Sequence, residues 1–365
     1  MIIELVSIII VSIAIITELL FIILWLSNFK SFGNSLVNFP SVDILIAARN
    51  EEDNIEACLD SLVALDYPKD KLNIWVGNDG STDGTWQVIE KYVSKHSNLK
   101  GFQITEHTIK GNGKANVLAQ LALKSHGDWI FITDADMIVT KHWVQAMLSA
   151  AEIEQAALVS GTSLVIGSNW LSKFQRLDWL YATSMLKVVS DLGVPVTAIG
   201  NNMAITRLVY EEIGGFESLP FSVTEDLEIF KHVKKSHRTM NLFSAEVLNK
   251  SVPQKSIIQL LVQRKRWMRG AFELPIQLLG TLLIQAIYFP TIIILAIYHP
   301  IAGVSFWLTK WLLKYLFSII SAKKLKEKVS IIDSFVSEWY LMLFSMASIL
   351  YYFWPGKIYW KGRSY

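Results

Sequence analysis

Long apolar runs lie at both ends of the chain and enclose a middle in which apolar and polar residues alternate in short blocks. Residues 2–26 are almost continuously apolar, and the charges within them are Glu4 and Glu18. About 20 residues of helix cross a bilayer core, whereas a cleaved signal peptide, the alternative, would begin with basic residues and end at small ones. The pattern therefore predicts an uncleaved transmembrane anchor at residues 1–28.

Residues 273–365 hold three further apolar stretches, at about 274–298, 301–320 and 331–354, which predict a C-terminal membrane region of about three helices. The basic segment 323–328 separates the last two and should face the cytoplasm by the positive-inside rule. Counting back places the middle of the chain on the same side. We therefore expect an integral protein of a bacterial inner membrane. An alternative for the beginning of the stretch 274–298, near Leu274 to Gln285, is an interfacial helix that lies flat on the membrane surface.

The middle of the chain, residues 29–272, alternates short apolar runs with segments of helical spacing. Strands are predicted at 42–48, 71–77, 101–107 and 128–136, and helices at 50–65, 85–96 and 112–126. Asn50 or Asp53 is expected to cap the first of these helices. Alternating strands and helices predict an α/β domain, a mixed or parallel sheet with helices on both faces.

Composition narrows the function classes. The hydrophobic fraction is 52% and the charged fraction 18%, which is too apolar for an ordinary soluble protein. The net charge of +2 argues neither for nor against a nucleic-acid partner. No basic aromatic stripe or nucleic-acid motif is evident, so no such partner is expected. The single cysteine, Cys58, excludes an internal disulfide and a cysteine metal cluster, and it is expected to pack a helix. No Gly-x-Ser-x-Gly sequence supports a Ser-His-Asp hydrolase.

Polar motifs follow the predicted strands: AARNE at 47–51, NDGSTDGT at 78–85 and TDADM at 133–137. Ligands of such sheets bind beyond the carboxyl ends of the strands, so these motifs should converge in one crevice. Asp134 and Asp136 are either an exposed loop start or hard oxygen ligands for a divalent cation such as Mg²⁺ or Mn²⁺.

The other motifs each have two interpretations. NDGSTDG is a helix-capping turn or a nucleotide pocket with Asp79 as acceptor, and Lys114 of GNGK is a solvated loop residue or a phosphate ligand. Glu225 and Asp226 either complement a helix dipole behind a Thr224 cap or supply a general base.

The basic segment QRKRWMRG, residues 263–270, precedes the C-terminal apolar stretches. Attraction to anionic lipid headgroups explains its charge. Alternatively, Arg266 stabilises a leaving diphosphate. Trp267 is either an interfacial anchor or the floor of an acceptor site.

In this order the motifs AARNE, NDGSTDGT, GKAN, TDADM, TED and QRKRW, from about Val42 to Gly270, resemble the family 2 inverting glycosyltransferases. The closest likeness is to the membrane-bound branch with ceramide glucosyltransferases and bacterial lipid glycosyltransferases. The resemblance implies a GT-A fold and a nucleotide-diphospho-sugar donor, expected to be a UDP-sugar such as UDP-glucose. It implies donor contacts from Ala48, Asn50, Glu51, Asp79, Lys114, Asp134, Gln263, Arg266 and Trp267.

The resemblance also implies the chemistry of the site. Asp134 and Asp136 match a metal-binding DxD that holds Mg²⁺ or Mn²⁺. The catalytic set is Asp226 as the base, with Glu225 and Arg266. Asn201 and Asn202 of GNNMA, together with Trp267, are expected to contact the acceptor or the donor sugar. Asn78 departs from the family, in which an Asp is common, and this would retune the nucleoside contact.

The predicted function is inverting transfer of a sugar to a membrane lipid, which makes a glycolipid. Processive polysaccharide synthases share the QxxRW motif and are the alternative, although about four helices are few to enclose a polymer path. A sugar-nucleotide-binding membrane protein without catalysis is a third possibility. The oligomeric state stays open.

Overall fold

A computed structural model describes residues 2–33, 36–109, 112–271, 276–356, 359–360 and 363–364. The chain forms two compact units. The helical unit consists of Met1–Phe29, Gly167–Leu192 and Pro253–Ile358, and the sheet unit consists of Lys30–Ile166, Gly193–Val252 and Tyr359–Tyr365. Two segments from within the predicted catalytic domain, one after residue 166 and one after residue 252, therefore group with the terminal helices.

The sheet unit contains a seven-stranded sheet of order β3-β2-β1-β4-β8-β6-β9, a three-stranded sheet of order β5-β10-β7 and the pair β11-β12. Their bounds are β1 Val42–Ala48, β2 Leu72–Asn78, β3 Leu99–Gln103, β4 Trp129–Asp134, β5 Met137–Ile138, β6 Leu158–Ser160, β7 Thr162–Val165, β8 Asn202–Thr206, β9 Thr239–Asn241, β10 Leu248–Ser251, β11 Tyr359–Trp360 and β12 Arg363–Ser364. Strands β1 to β4 are parallel in the large sheet, whereas β8 runs antiparallel to both β4 and β6. The predicted α/β architecture is confirmed, with a mixed sheet.

Strand β3 begins and ends earlier than the predicted segment 101–107. Its pairing with β2 aligns Ile74 with Leu99 and Asn78 with Gln103. Strand β3 therefore ends where β2 ends. The alternation of apolar and polar residues does not by itself predict this register.

The helices of the sheet unit are α2 Ile55–Val63, α3 Thr85–Val93, α4 Gly113–Lys124, α5 Trp143–Glu154, α7 Arg207–Glu212, α8 Gly215–Ser218 and α9 Glu225–Val233. Helix α2 buries its apolar positions, and Cys58 packs there as predicted. The predicted caps Asn50 and Asp53 are wrong, because the N-cap position is Asn54. Asn50 instead adopts a left-handed conformation (φ 52°), which starts a tight loop.

The sheet separates two apolar layers. One layer lies between one face of β1, β2 and β4 and the helices α2, α3 and α5, and it includes the large side chains Phe131 and Trp143. The other is formed by the opposite face with α4 and α9, and it includes Trp75 and Phe230. Burial on both faces explains why the central strands are nearly continuous apolar runs.

The helical unit consists of α1 Ile2–Asn28, α6 Trp170–Asp191, α10 Ile257–Ala271, α11 Ile276–Tyr298, α12 Pro300–Lys324 and α13 Ile331–Phe353. The break between α11 and α12 lies at His299, as the sequence predicted. Among the described residues, α1 is the helix that is long and apolar enough to cross a membrane. The predicted crossings by α11, α12 and α13 stay predictions.

A buried polar network explains the charge within the apolar run of α1. The Glu18 carboxylate accepts a hydrogen bond from the Tyr181 hydroxyl at 2.6 Å and lies 3.4 Å from the Lys310 ammonium. Lys314 pairs with Glu338 at 2.5 Å in the same unit. Because a buried charge is costly unless it is paired, these contacts fix how α1, α6, α12 and α13 pack.

Candidate active site

The strand register brings the predicted motifs to one edge of the sheet. Ala48 at the end of β1 lies opposite Asn78 at the end of β2, and Ala47 lies opposite Asp134 at the end of β4. The Asp79 backbone N–H donates to the Ala48 carbonyl at 2.8 Å. The predicted convergence of AARNE, NDGSTDGT and TDADM therefore follows from parallel pairing.

Hydrogen bonds join the loop after β1 to the loop after β2. The Asn50 side chain accepts from the Thr82 backbone N–H at 2.8 Å, and the Asn50 N–H donates to the Ser81 hydroxyl at 3.0 Å. The Glu51 N–H donates to the Thr85 hydroxyl at 2.7 Å. These contacts hold the two loops together. In this structure Asn50 and Glu51 therefore stabilise the loops that border the site.

Asn78, which ends β2, and Asp79, which follows it, are both buried. The Asp79 carbonyl accepts from the Arg49 guanidinium. The Asn78 side-chain amide donates to the Gln103 side chain at 2.6 Å, across to the neighbouring strand β3. The Asn78 side chain thus makes a contact within the sheet beside Asp79.

Lys114, in the first turn of α4, bridges two carboxylates. Its ammonium lies 2.7 Å from Asp134 Oδ1 and 2.9 Å from Glu225 Oε1. Burial acts to lower the pKa of Lys114, but the attraction of Asp134 and Glu225 outweighs it and raises that pKa. Lys114 is therefore a fixed positive charge between the predicted metal ligand and the predicted catalytic segment.

Glu225 uses both of its carboxylate oxygens. One faces Lys114, and the other accepts from the Asn112 side-chain amide at 2.9 Å. Burial acts to raise the pKa of Glu225, but Lys114 and the hydrogen bonds outweigh it and hold that pKa below its usual value. A carboxylate that is paired with an ammonium and whose pKa is lowered is a weaker proton acceptor, so the geometry gives Glu225 a holding role.

Asp226 has different surroundings. Its carboxylate accepts the backbone N–H groups of Gly200 and Leu227, each at 2.9 Å. Burial, together with the negative charge of Glu225, raises the pKa of Asp226. A carboxylate whose pKa is raised toward neutrality is a better general base than an ordinary one. The two neighbouring acids are thus differentiated by their surroundings.

The predicted metal ligands fit a hard divalent cation in part. Asp134 and Asp136 offer carboxylate oxygens at the end of β4, both partly exposed. No cluster of three or more His, Cys, Asp or Glu side chains suited to a metal occurs in the described part of the chain. A metal here would therefore need further oxygens from its substrate, which is how Mg²⁺ is commonly held beside phosphates.

Asn201 and Asn202 differ although they are adjacent. The Asn202 side chain is fully buried; it accepts from the Trp143 indole at 2.8 Å and donates to the Thr162 and Val247 carbonyls at 2.8 and 2.9 Å. These bonds use the amide inside the protein and give Asn202 a structural role, against the predicted contact with acceptor or sugar. Asn201 is partly exposed and accepts from the Ser163 hydroxyl at 2.8 Å.

Gln263, Arg266 and Trp267 lie on α10 in the helical unit. Because these residues belong to the helical unit, the contacts described for the sheet unit do not test their predicted donor contacts, which stay predictions. Two of the cations that the lipid-headgroup interpretation relied on have partners within the protein. Arg264 pairs with Asp178, and Lys265 is buried and donates to the Trp354 carbonyl at 2.7 Å.

Two residues at the site were not singled out from the sequence, Asn112 and Gly200. The Asn112 side chain caps α4 by accepting from the Ala115 N–H at 2.8 Å, and it also holds Glu225. A Cβ atom at Gly200 would stand 2.6 Å from Asp226. The glycine that opens GNNMA was the available signal, since glycine permits close backbone approach.

Comparisons with known proteins identify the family of the chain. The model of glycosyl transferase family 21 matches residues 2–365. The chain belongs to this family. A probable glycosyltransferase YdaM of Bacillus subtilis is 30% identical over 251 residues, which cover 67% of this chain and 58% of the relative. A beta-monoglucosyldiacylglycerol synthase of Synechocystis is 23% identical over 250 residues, covering 66% and 49%.

The chain spans about half the length of the curated relatives it matches. Among solved structures, the mannosyltransferase PcManGT from Pyrobaculum calidifontis, in complex with GDP-Man and Mn²⁺, matches with a TM-score of 0.62 at 17% identity. The match covers 96% of this chain and 99% of PcManGT. The fold is thus that of a GT-A glycosyltransferase, as predicted; the family is 21, and the likeness to family 2 and to ceramide glucosyltransferases stays a prediction.

Proposed function

We propose that this family 21 protein transfers a sugar from a nucleotide-diphospho-sugar to the hydroxyl of a membrane lipid and inverts the anomeric carbon. The observation that carries the proposal is the differentiated acid pair at the sheet edge. Glu225 is held by Lys114, while Asp226, 2.9 Å from the Gly200 N–H, has a raised pKa. That arrangement suits a general base beside a cationic phosphate site.

The residues perform three tasks in the reaction. Asp226 accepts the proton of the lipid hydroxyl as its oxygen attacks the anomeric carbon. Attack from the face opposite the diphosphate breaks the bond to that leaving group and inverts the carbon in one displacement. Lys114 and Arg266 offset the charge that builds on the diphosphate, because fixed cations at a leaving group stabilise the transition state.

Asp134 and Asp136 are the residues that would hold a divalent metal. When bound, Mg²⁺ or Mn²⁺ would supply Lewis-acid stabilisation of the diphosphate. The Mn²⁺ named with PcManGT supports this assignment. Lys114, paired with Asp134 at 2.7 Å, would exchange part of that contact for the donor's phosphate oxygens.

The lipid acceptor is supported by two features. Two relatives are named beta-monoglucosyldiacylglycerol synthases. The apolar helix α1 and the exposed apolar side chains of α11, α12 and α13 would place the protein in a membrane, with residues 27–273 toward the cytoplasm. Residues 1–28, 29–272 and 273–365 would serve as anchor, catalytic domain and membrane region. We propose a lipid hydroxyl as acceptor, that of a glycerolipid, a sphingolipid or a hopanoid.

The donor would be a UDP-sugar, with Asp79 and its neighbours at the nucleoside. Ala48, Asn50, Glu51 and Gln263 complete the proposed donor contacts, and we place Trp267 at the acceptor. The GDP-Man named with PcManGT makes a GDP-sugar the competing donor.

A screen of donors tests the proposal. The purified protein is incubated in mixed-lipid vesicles with Mn²⁺ and each of UDP-glucose, UDP-galactose, UDP-N-acetylglucosamine and GDP-mannose. Mass spectrometry of the lipid extract should show one lipid class heavier by one sugar. A long water-soluble polymer would instead support the polysaccharide synthase alternative. Donor binding without any product would support a non-catalytic sugar-nucleotide-binding protein.

A further inference from the structure

The indole of Trp267 contacts a ring from a second helix and a guanidinium from its own helix. The Trp179 ring on α6 packs edge-on against it, with ring centroids 5.3 Å apart and planes at 73°. The Arg264 guanidinium, one turn earlier on α10, lies over the Trp267 ring at 5.0 Å from its centroid. All three residues belong to the helical unit, so these contacts lie within one compact body.

Arg264 is itself held in place. Its guanidinium pairs with the Asp178 carboxylate, the residue before Trp179 on α6. It also lies 5.9 Å from the centre of the Phe344 ring on α13. A planar guanidinium that is paired with a carboxylate and stacked on an aromatic ring keeps one orientation, which a lysine would not reproduce. We call Asp178, Trp179 and Arg264 the α6–α10 clamp.

Helix α6 is anchored independently of the clamp. Near its start, the Lys173 ammonium lies 3.1 Å from the Asp333 carboxylate. The Arg176 guanidinium donates to the Lys328 carbonyl at 3.0 Å. These contacts tie α6 to the start of α13 and to the loop before it, so Trp179 approaches Trp267 from a fixed support.

Helix α10 is anchored as well. Lys265, next to Arg264, is only 8% exposed and donates to the Trp354 carbonyl at 2.7 Å, at the end of α13. Its ammonium also lies 5.4 Å from the centre of the Tyr351 ring. Both helices that carry the clamp are thus fixed to α13, and the remaining freedom is that of the Trp267 side chain.

We propose that Asp178, Trp179 and Arg264 are positioning residues that hold the Trp267 indole in the orientation that receives the lipid acceptor. The inference rests on the proposed function, because it takes Trp267 as part of the acceptor site. Edge-to-face aromatic pairs and guanidinium–aromatic contacts are directional. Their combined effect is to select one side-chain rotamer of Trp267 before the acceptor binds, which reduces the entropy lost on binding.

The chain offers a matched pair of substitutions on α6. Trp179→Ala removes the ring against Trp267. Trp170→Ala, the control, removes a ring that is 56% exposed and packs edge-on against Phe174 at 5.8 Å on the same helix. Trp179→Phe keeps an edge-on aromatic contact, and Asp178→Asn weakens the fixation of Arg264 without removing a ring.

The experiment measures kcat and the KM values for donor and acceptor lipid in vesicles for each variant. We expect Trp179→Ala to raise the acceptor KM about 3- to 10-fold with the donor KM unchanged. Trp179→Phe should restore most of the acceptor affinity, Asp178→Asn should give an intermediate value, and Trp170→Ala should match the unaltered protein. A merely structural role would change both KM values together or lower the melting temperature without any KM split.

Trp267→Ala separates this inference from the proposed function. If Trp267→Ala raises the acceptor KM and Trp179→Ala does not, the clamp is overturned and the acceptor assignment stands. If Trp267→Ala leaves the acceptor KM unchanged, the assignment of Trp267 in the proposed function fails. Should Trp179→Ala prevent folding, Trp179→Phe and Asp178→Asn still carry the test, because unchanged acceptor KM values in both would overturn the clamp.

Discussion

The Gly200 backbone N–H donates to the Asp226 carboxylate at 2.9 Å, and this approach requires the absence of a side chain at position 200. A Cβ atom there would stand 2.6 Å from Asp226 Cβ and Oδ2, closer than real contacts allow. The segment before β8 therefore places the carboxylate that we propose as the catalytic base.

Gly200→Ala should displace Asp226 and lower kcat. A misplacement of about 1 Å costs on the order of 100-fold in rate. Gly33→Ala in the same unit is the control, because a Cβ there meets nothing within 4 Å. Steady-state kinetics check the prediction, and equal kcat values for the two variants would mean that the Asp226 position does not limit transfer.

Glu225→Gln should move the acid limb of the pH–rate profile to lower pH. A base acts when unprotonated, so activity is lost as the pH falls through its pKa. Burial and the charge of Glu225 raise the Asp226 pKa, and removal of that charge lowers it. The pH dependence of kcat/KM is the measurement; an acid limb that stays in place would assign it to another group.

Asp134→Asn should weaken donor binding only when metal is present. The substitution removes one proposed metal ligand and with it metal-assisted charge stabilisation. Donor affinity in Mn²⁺ should fall about 10- to 100-fold, the usual cost of altering a metal site. Titration calorimetry with and without Mn²⁺ measures the effect. Asp128→Asn is the control, since Asp128 contacts Ser41 before β1, and an equal loss in both variants would argue against a metal role.

Asn202→Ala should affect stability more than acceptor affinity. It deletes three buried hydrogen bonds and leaves the Trp143 indole and two carbonyls without this partner. The free energy of unfolding should fall by about 2–5 kcal/mol, since an unsatisfied buried polar group costs about 1–3 kcal/mol. Denaturant titration measures this loss, and an unchanged stability with a raised acceptor KM would restore the predicted acceptor role.

The sequence predicted the strands and motifs whose placement depends on local pattern. The ends of β1, β2 and β4 converge because parallel strands align their carboxyl ends, and Asp79 and Asp134 follow from that rule alone. The fold, the enzyme class and the glycolipid branch were predicted from the ordered motifs, and family membership agrees with the first two.

Other features depend on partners distant in the chain. The buried side chain of Asn202 forms hydrogen bonds with Trp143, Thr162 and Val247. The residues next to Asn202 in the sequence do not indicate that it is buried. The pairing of Lys114 with Glu225 likewise joins segments more than a hundred residues apart. Helix α6 was not predicted, and it joins the terminal helices through long-range contacts that composition does not encode.

Asp226→Asn tests the central claim most directly. The amide keeps the size of the side chain but cannot accept the hydroxyl proton, and general-base catalysis contributes about 100- to 10,000-fold. Donor affinity by calorimetry and glycolipid formation in vesicles should be measured on the same preparation. We predict unchanged donor binding and a loss of transfer of that size; undiminished transfer would contradict the account.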